Sequence, residues 1–160
     1  MNRTDVPYKE GKRKKILAVS SSGGHWIELL RLRPAFVGHD VVYITTQRGS
    51  QSQVPGQRVH VVPDANQWTK FRLLLTLVSV FFLTAWERPD VVVSTGAAPG
   101  YFAMRFGKWF GARTLWLESI ANAEELSLST RLVQPYADLL LTQWPHIARP
   151  EGPFYRGEIL

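Results

Sequence analysis

The sequence predicts an α/β fold built on a Rossmann-like, doubly wound parallel sheet, and three observations carry that prediction. Apolar, β-branched runs alternate with helix-patterned segments along most of the chain. The runs are apolar at successive positions, as strands are when helices cover both faces of a sheet. The first run passes through a turn of small residues straight into a helical pattern, the arrangement in which open α/β sheets bind ligands.

Strand candidates occupy residues 16–20, 41–45, 59–62, 91–94, 114–117 and 139–142, with helix-patterned segments after the first, third, fourth and fifth. A sheet wound in this way gathers three turns in its switch-point crevice: residues 20–25, 94–100 and 118–125.

The first turn reads Ser20-Ser21-Ser22-Gly23-Gly24-His25 and is followed by Trp26-Ile27-Glu28-Leu29-Leu30. Gly23 and Gly24 let the backbone turn sharply and approach a ligand, and the free N–H groups of the next helix suit an anion or a sugar oxygen. An ordinary βα turn needs the same small residues for closure. His25 favours the functional reading, because an imidazole at a helix N-terminus is available as a base or a hydrogen-bonding group. The second turn, Ser94-Thr95-Gly96-Ala97-Ala98-Pro99-Gly100, has glycines for close approach and a proline suited to the first turn of a helix. It lacks the Lys-Ser/Thr of a P-loop and the glycine spacing of a dinucleotide fingerprint. The third turn puts Glu118 at the end of an apolar strand. There it can hold a sugar hydroxyl or orient a histidine, or equally cap a helix or pair with Arg113.

The chain has 160 residues, of which 45% are hydrophobic, enough for one core and one domain over residues 15–160. It has no cysteine, which excludes disulfides and thiolate metal sites. His25, His39, His60 and His146 lack the paired spacing of metal ligands, so no metal is expected. The net charge is +6, and Lys9, Lys12, Arg13, Lys14 and Lys15 crowd into the start of the chain. Residues 1–14 read as a flexible basic leader with no signal-peptide core behind it. No basic stripe interleaved with aromatics follows, so nucleic acid is not the expected partner. A basic leader suits an anionic membrane face, at about 1 kcal/mol per Lys or Arg, or it is simply a solvated tail.

A nearly charge-free helical segment covers about residues 70–87. Spanning a bilayer takes roughly 20 apolar residues, and a shorter run is usually a core helix or an interfacial one. This one is apolar on every side, so burial would leave one face exposed. Together with its flanks it predicts monotopic membrane contact through Trp68, Lys70, Arg72, Leu77, Phe81, Phe82 and Trp86, with Arg88 at the far end.

These pieces carry a resemblance. Residues 21–29 (SSGGHWIEL), residues 88–96 (RPDVVVSTG), Glu118-Ser119, Leu126-Ser127-Leu128-Ser129 and Gln143-Trp144-Pro145 resemble the membrane-associated subunit of two-part glycosyltransferases. The family includes the anchoring partner of the second N-acetylglucosaminyltransferase of the dolichol pathway and bacterial capsule and exopolysaccharide homologues. The resemblance runs from about Lys15 to the C-terminus, and the basic leader in place of a membrane-spanning helix points to the bacterial branch.

The resemblance implies the N-terminal half of a GT-B glycosyltransferase. A separately encoded catalytic subunit would bind the UDP-sugar donor, and this chain would hold no cofactor of its own. The acceptor would be a sugar on a polyprenyl diphosphate carrier at the cytoplasmic face of the plasma membrane. His25 would face the acceptor hydroxyl as base or orienting group, with Glu118 assisting. Ser22, Gly23, Gly24, Gly96, Ala97, Gly100 and Asn122 would contact the acceptor or its diphosphate, and Gln143, Trp144 and Pro145 would meet the partner. The competing reading is a stand-alone soluble domain that binds a nucleotide or anion. It accounts for both glycine turns but leaves the apolar helix and its basic ends unexplained.

Overall fold

The structure, a computed structural model, describes residues 12–64 and 70–159. Its strands are β1 (Lys15–Ser20), β2 (Asp40–Thr45), β3 (Arg58–Val61), β4 (Val91–Gly96), β5 (Arg113–Leu117), β6 (Leu139–Thr142) and β7 (Phe154–Tyr155). They form one sheet in the order β3-β2-β1-β4-β5-β6-β7, with every neighbouring pair parallel. Four helices connect them: α1 (Gly24–Arg31), α2 (Lys70–Glu87), α3 (Ala98–Trp109) and α4 (Leu128–Val133). The six expected strands are present to within a residue or two, and the four helices fall in the expected intervals. β7 escaped the sequence reading because two residues carry no period.

Alternating side chains divide the core between the two faces. Leu17, Val19, Val42, Ile44 and Val92 pack beneath α2 and α3, and Ile16, Ala18, Val41, Tyr43 and Val93 pack with Trp26 and Leu29 of α1. That is the doubly wound arrangement. Strand order reverses between β1 and β4, so the loops that leave their C-terminal ends diverge and open a crevice there. Val19 pairs with Ser94 and Ser20 with Gly96, which leaves Thr95 as an extra residue in a bulge at the end of β4.

α2 is built inside out. Thr76, Val80, Thr84 and Glu87 are buried against the sheet, while Phe71, Leu74, Leu75, Val78, Phe82 and Trp86 are exposed. Small threonines let the helix approach the strands, and their hydroxyls are satisfied locally. Thr76 donates to the carbonyls of Arg72 and Pro63, and Thr84 donates to that of Val80. Glu87 is held by Arg58 at 2.8 Å, His60 at 3.3 Å and Lys15 at 3.4 Å. This ties the C-terminal end of α2 to the starts of β1 and β3. The helix then stops at Arg88, whose φ of 45° marks a left-handed cap ahead of Pro89.

The expectation for this helix needs one correction. Leu77 and Phe81 are half-buried against the core rather than free for a membrane. Phe81 packs on Phe106 at 5.2 Å and Phe110 at 5.8 Å because α3 lies alongside it. Trp68 lies outside the described residues, as does most of the basic leader. Phe81 also meets Phe82 and Trp109, so the exposed apolar surface runs from α2 onto α3, where Trp109 is 74% exposed. No helix among the described residues is long and apolar enough to cross a membrane.

Candidate functional site

The loops after β1, β4 and β5 enclose a cleft of about 340 Å³ at the switch point. Gly24 and His25 line it from α1, Gly96 and Ala97 from the β4 turn, and Trp116, Glu118, Asn122 and Ser127 from β5 and its loop. Sequence reasoning brought the three turns together, and the fold does the same.

Gly23 begins α1 in a left-handed conformation, φ 71°, without a side-chain cap. The N–H groups of Ser22 and Gly23 are taken by Thr46 Oγ1 and Gln47 Oε1, side chains that follow β2. These two residues therefore brace the turn against its neighbour and do not line the cleft. Their expected acceptor contacts are corrected accordingly. His25 sits at the mouth of the helix with its backbone carbonyl accepting from Thr95 Oγ1 at 2.7 Å, so the β4 bulge holds it in place. Its ring lies under Gly96. A β-carbon at 96 would come within 2.7 Å of Cε1, and Gly96 also has φ 127°, so glycine is required on both counts.

Gly100 is different. It is buried, and a β-carbon there would collide with Ser94 Oγ and press on Trp116 at 3.2 Å. Its role is close helix–strand packing, and the expected acceptor contact is withdrawn.

Glu118 is also reassigned. It lies at the cleft wall and is 2% exposed. Its two oxygens accept from the N–H of Ser119, Asn122 Nδ2 at 2.6 Å, and the N–H and hydroxyl of Ser127. Ser127 in turn caps α4 by accepting from the N–H of Thr130. Glu118 therefore organises the loop 118–127, and the carboxylate beside His25 is a different one. Asn122 spends its amide on Glu118 but stays in the cleft wall.

That other carboxylate is Glu28, one helical turn after His25 and 5% exposed. Its Oε1 accepts from Ser119 Oγ at 3.2 Å, the N–H of Ile120 at 2.8 Å and Gln143 Nε2 at 3.1 Å. Its Oε2 has no hydrogen bond and lies 3.8 Å from His25 Nδ1, which is buried and has none either. Burial pushes the Glu28 carboxyl up, but the neighbouring His25 and the hydrogen bonds from Ile120, Ser119 and Gln143 outweigh it and hold the group below its ordinary 4.5. The sequence did hold a signal for it: His25 and Glu28 are i and i+3, on one helix face.

Gln143 is corrected as well. It is buried, donating to Glu28 and to the Glu118 carbonyl and accepting from the N–H of Ile159, so it is an internal strut and not a partner surface. Trp144 donates to the Ile120 carbonyl and is half-buried, leaving Pro145 as the exposed member of the trio. No cluster of His, Asp and Glu among the described residues could hold a metal ion.

A family model of Alg14-like oligosaccharide biosynthesis proteins matches residues 45–157. The chain belongs to this family. It is 28% identical to the UDP-N-acetylglucosamine transferase subunit alg14 of Schizosaccharomyces pombe, over 88% of this chain and 80% of that protein. A shorter segment, 39% of this chain and 32% of the relative, is 34% identical to the ALG14 subunit of Yarrowia lipolytica. Among solved structures, MurG of Acinetobacter baumannii superposes with a TM-score of 0.69 at 14% identity, over 89% of this chain and 44% of MurG. The UDP-N-acetylglucosamine 2-epimerase of Rickettsia bellii gives the same TM-score over 92% of this chain and 45% of its own. This Alg14-like chain thus spans less than half of each of those structures and has the Rossmann-like architecture of one half of a GT-B fold.

Proposed function

We propose that this Alg14-like protein is the acceptor-side subunit of a two-component, UDP-sugar-dependent glycosyltransferase, docking on a separately encoded donor-binding subunit and active only with it. The observation that carries the reading is the cleft itself, which His25 lines together with Gly24, Gly96 and Ala97 at the switch point of a half GT-B fold. A polyprenyl-diphosphate-linked sugar is the proposed acceptor, presented at the cytoplasmic membrane face. In the reaction its hydroxyl oxygen bonds to the anomeric carbon of the donor sugar. The hydroxyl proton passes to His25 Nε2, and UDP leaves with the electrons of the broken C–O bond. Gly24, Gly96 and Ala97 bring backbone close to the acceptor.

The exposed apolar side chains of α2 and α3 support the membrane part of the reading, with Lys70 and Arg72 exposed at the start of α2 for anionic headgroups. Pro145 and the exposed edge around it are the proposed start of the partner contact.

The test is a tagged pull-down from detergent-solubilised membranes, followed by a transfer assay of the recovered pair with a UDP-sugar and a polyprenyl-diphosphate-linked acceptor. A co-purifying donor-binding protein at equal stoichiometry is expected, and His25→Ala in the pair should lower transfer by about 10²-fold or more. Recovery of the chain alone, or near-normal turnover by the variant, overturns the corresponding part of the proposal.

A further inference from the structure

We propose that Glu28 is the positioning residue of His25, fixing which imidazole nitrogen carries the proton. The inference rests on the reading that His25 Nε2 receives the acceptor proton. Two buried polar atoms without hydrogen bonds face each other across 3.8 Å, His25 Nδ1 and Glu28 Oε2. Such atoms are rare in folded proteins and costly unless they serve each other. A lone pair on Nδ1 would oppose the carboxylate. A proton on Nδ1 is attracted by it, and shortening the contact by less than 1 Å makes a charge-assisted hydrogen bond. In that tautomer Nε2 keeps its lone pair, which is the state a general base needs, and the imidazolium formed after proton transfer is stabilised by the same carboxylate.

The other oxygen explains why the carboxylate stays where it is. Ser119 Oγ, the N–H of Ile120 and Gln143 Nε2 all converge on Oε1. Glu28 is therefore pinned from the β5 loop and from the residue that follows β6, while α1 carries it and His25 on one face. Its Oε2 is left without a hydrogen bond, 3.8 Å from His25 Nδ1.

The same three donors make Glu28→Gln a sharp probe. They require an oxygen at the Oε1 position, so the amide NH2 of the glutamine must occupy the Oε2 position and face His25 Nδ1. An N–H there donates to an unprotonated Nδ1 and moves the ring proton to Nε2, the wrong nitrogen for a base. The substitution is nearly isosteric and keeps the donors on Oε1 satisfied.

The experiment is nitrogen-15 NMR of the full chain with labelled histidine, above the imidazole titration, in wild type and in Glu28→Gln, with His25→Ala assigning the signal. In wild type the proton should sit on Nδ1 of His25, and in Glu28→Gln on Nε2. The matching variant of the assembled pair should lose about 10²-fold or more in the rate of transfer at saturating acceptor. A wild-type spectrum with the proton on Nε2, or an unchanged tautomer in the variant, overturns the proposal, and the wild-type measurement needs no variant to fold. These spectra are independent of turnover, so an active His25→Ala pair would defeat the catalytic reading of His25 while leaving the tautomer result to stand or fall by itself.

Discussion

At residue scale the cleft depends on where a side chain is missing. Gly96 has to be glycine because its φ of 127° is closed to other residues and because the His25 ring fills the space of a β-carbon, 2.7 Å from Cε1. Gly96→Ala should therefore cost about 1–3 kcal/mol of stability, read by chemical denaturation, and push the imidazole off its seat. The same variant, still folded, should show reduced transfer with acceptor in excess. An unshifted midpoint with full activity would mean that the turn relaxes without disturbing His25. Gly23 and Gly100 illustrate how the same residue type serves other ends, the one beginning a helix with φ 71° and the other admitting Ser94 and Trp116 beneath α3.

At the scale of one element, α2 combines a polar buried stripe with an apolar exposed one. A helix of this pattern resists placement from sequence, since a segment that reads as apolar on every side gives no period to say which face meets the sheet. Thr76 and Thr84 turn inward because β-branched hydroxyl side chains are short and return their own hydrogen bonds to the helix backbone. The pair Phe81 and Phe82 distinguishes the two faces directly. Phe82→Asp, on a side chain 66% exposed, should leave the urea midpoint nearly unchanged and weaken binding to anionic vesicles. Phe81→Asp should instead destabilise the fold by about 3 kcal/mol or more, since it would leave a carboxylate among Phe106, Trp109 and Phe110. Equal vesicle binding by Phe82→Asp and wild type would place the membrane contact elsewhere.

At the scale of the molecule, two depressed carboxylates tie distant elements together. Glu28 joins α1 to the β5 loop and to Gln143. Asp138, held below its ordinary 3.8 first by its ion pair with Lys108 and then by hydrogen bonds from Thr114 that outweigh its burial, joins the start of β6 to α3 and β5. Both groups bind protons more readily in the unfolded chain. Their contribution is complete above the ordinary carboxylate values and is lost as pH falls through the lower folded-state values, so stability should decline from about pH 4.5 downward. Urea midpoints between about pH 6 and pH 3 check this, and a flat profile would remove both groups from the account. The sequence by itself determined the strand order's raw material. Runs apolar at successive positions mark the strands, and the serine–glycine turns mark where the chain leaves them, although the edge strand β3 is itself only partly covered. It also determined the membership of the cleft's rim, because His25, Gly96 and Glu118 each end or follow such a run. Only the tertiary structure decided which partners those residues have. Glu118 and Gln143 look like surface chemistry in one dimension and are struts in three, while Glu28 looks like an ordinary helix residue until Ser119, Ile120 and Gln143 converge on it. Hydrogen bonds across about 90 to 115 positions have no local period to announce them; they exist because a parallel sheet brings the C-terminal ends of its strands to one edge.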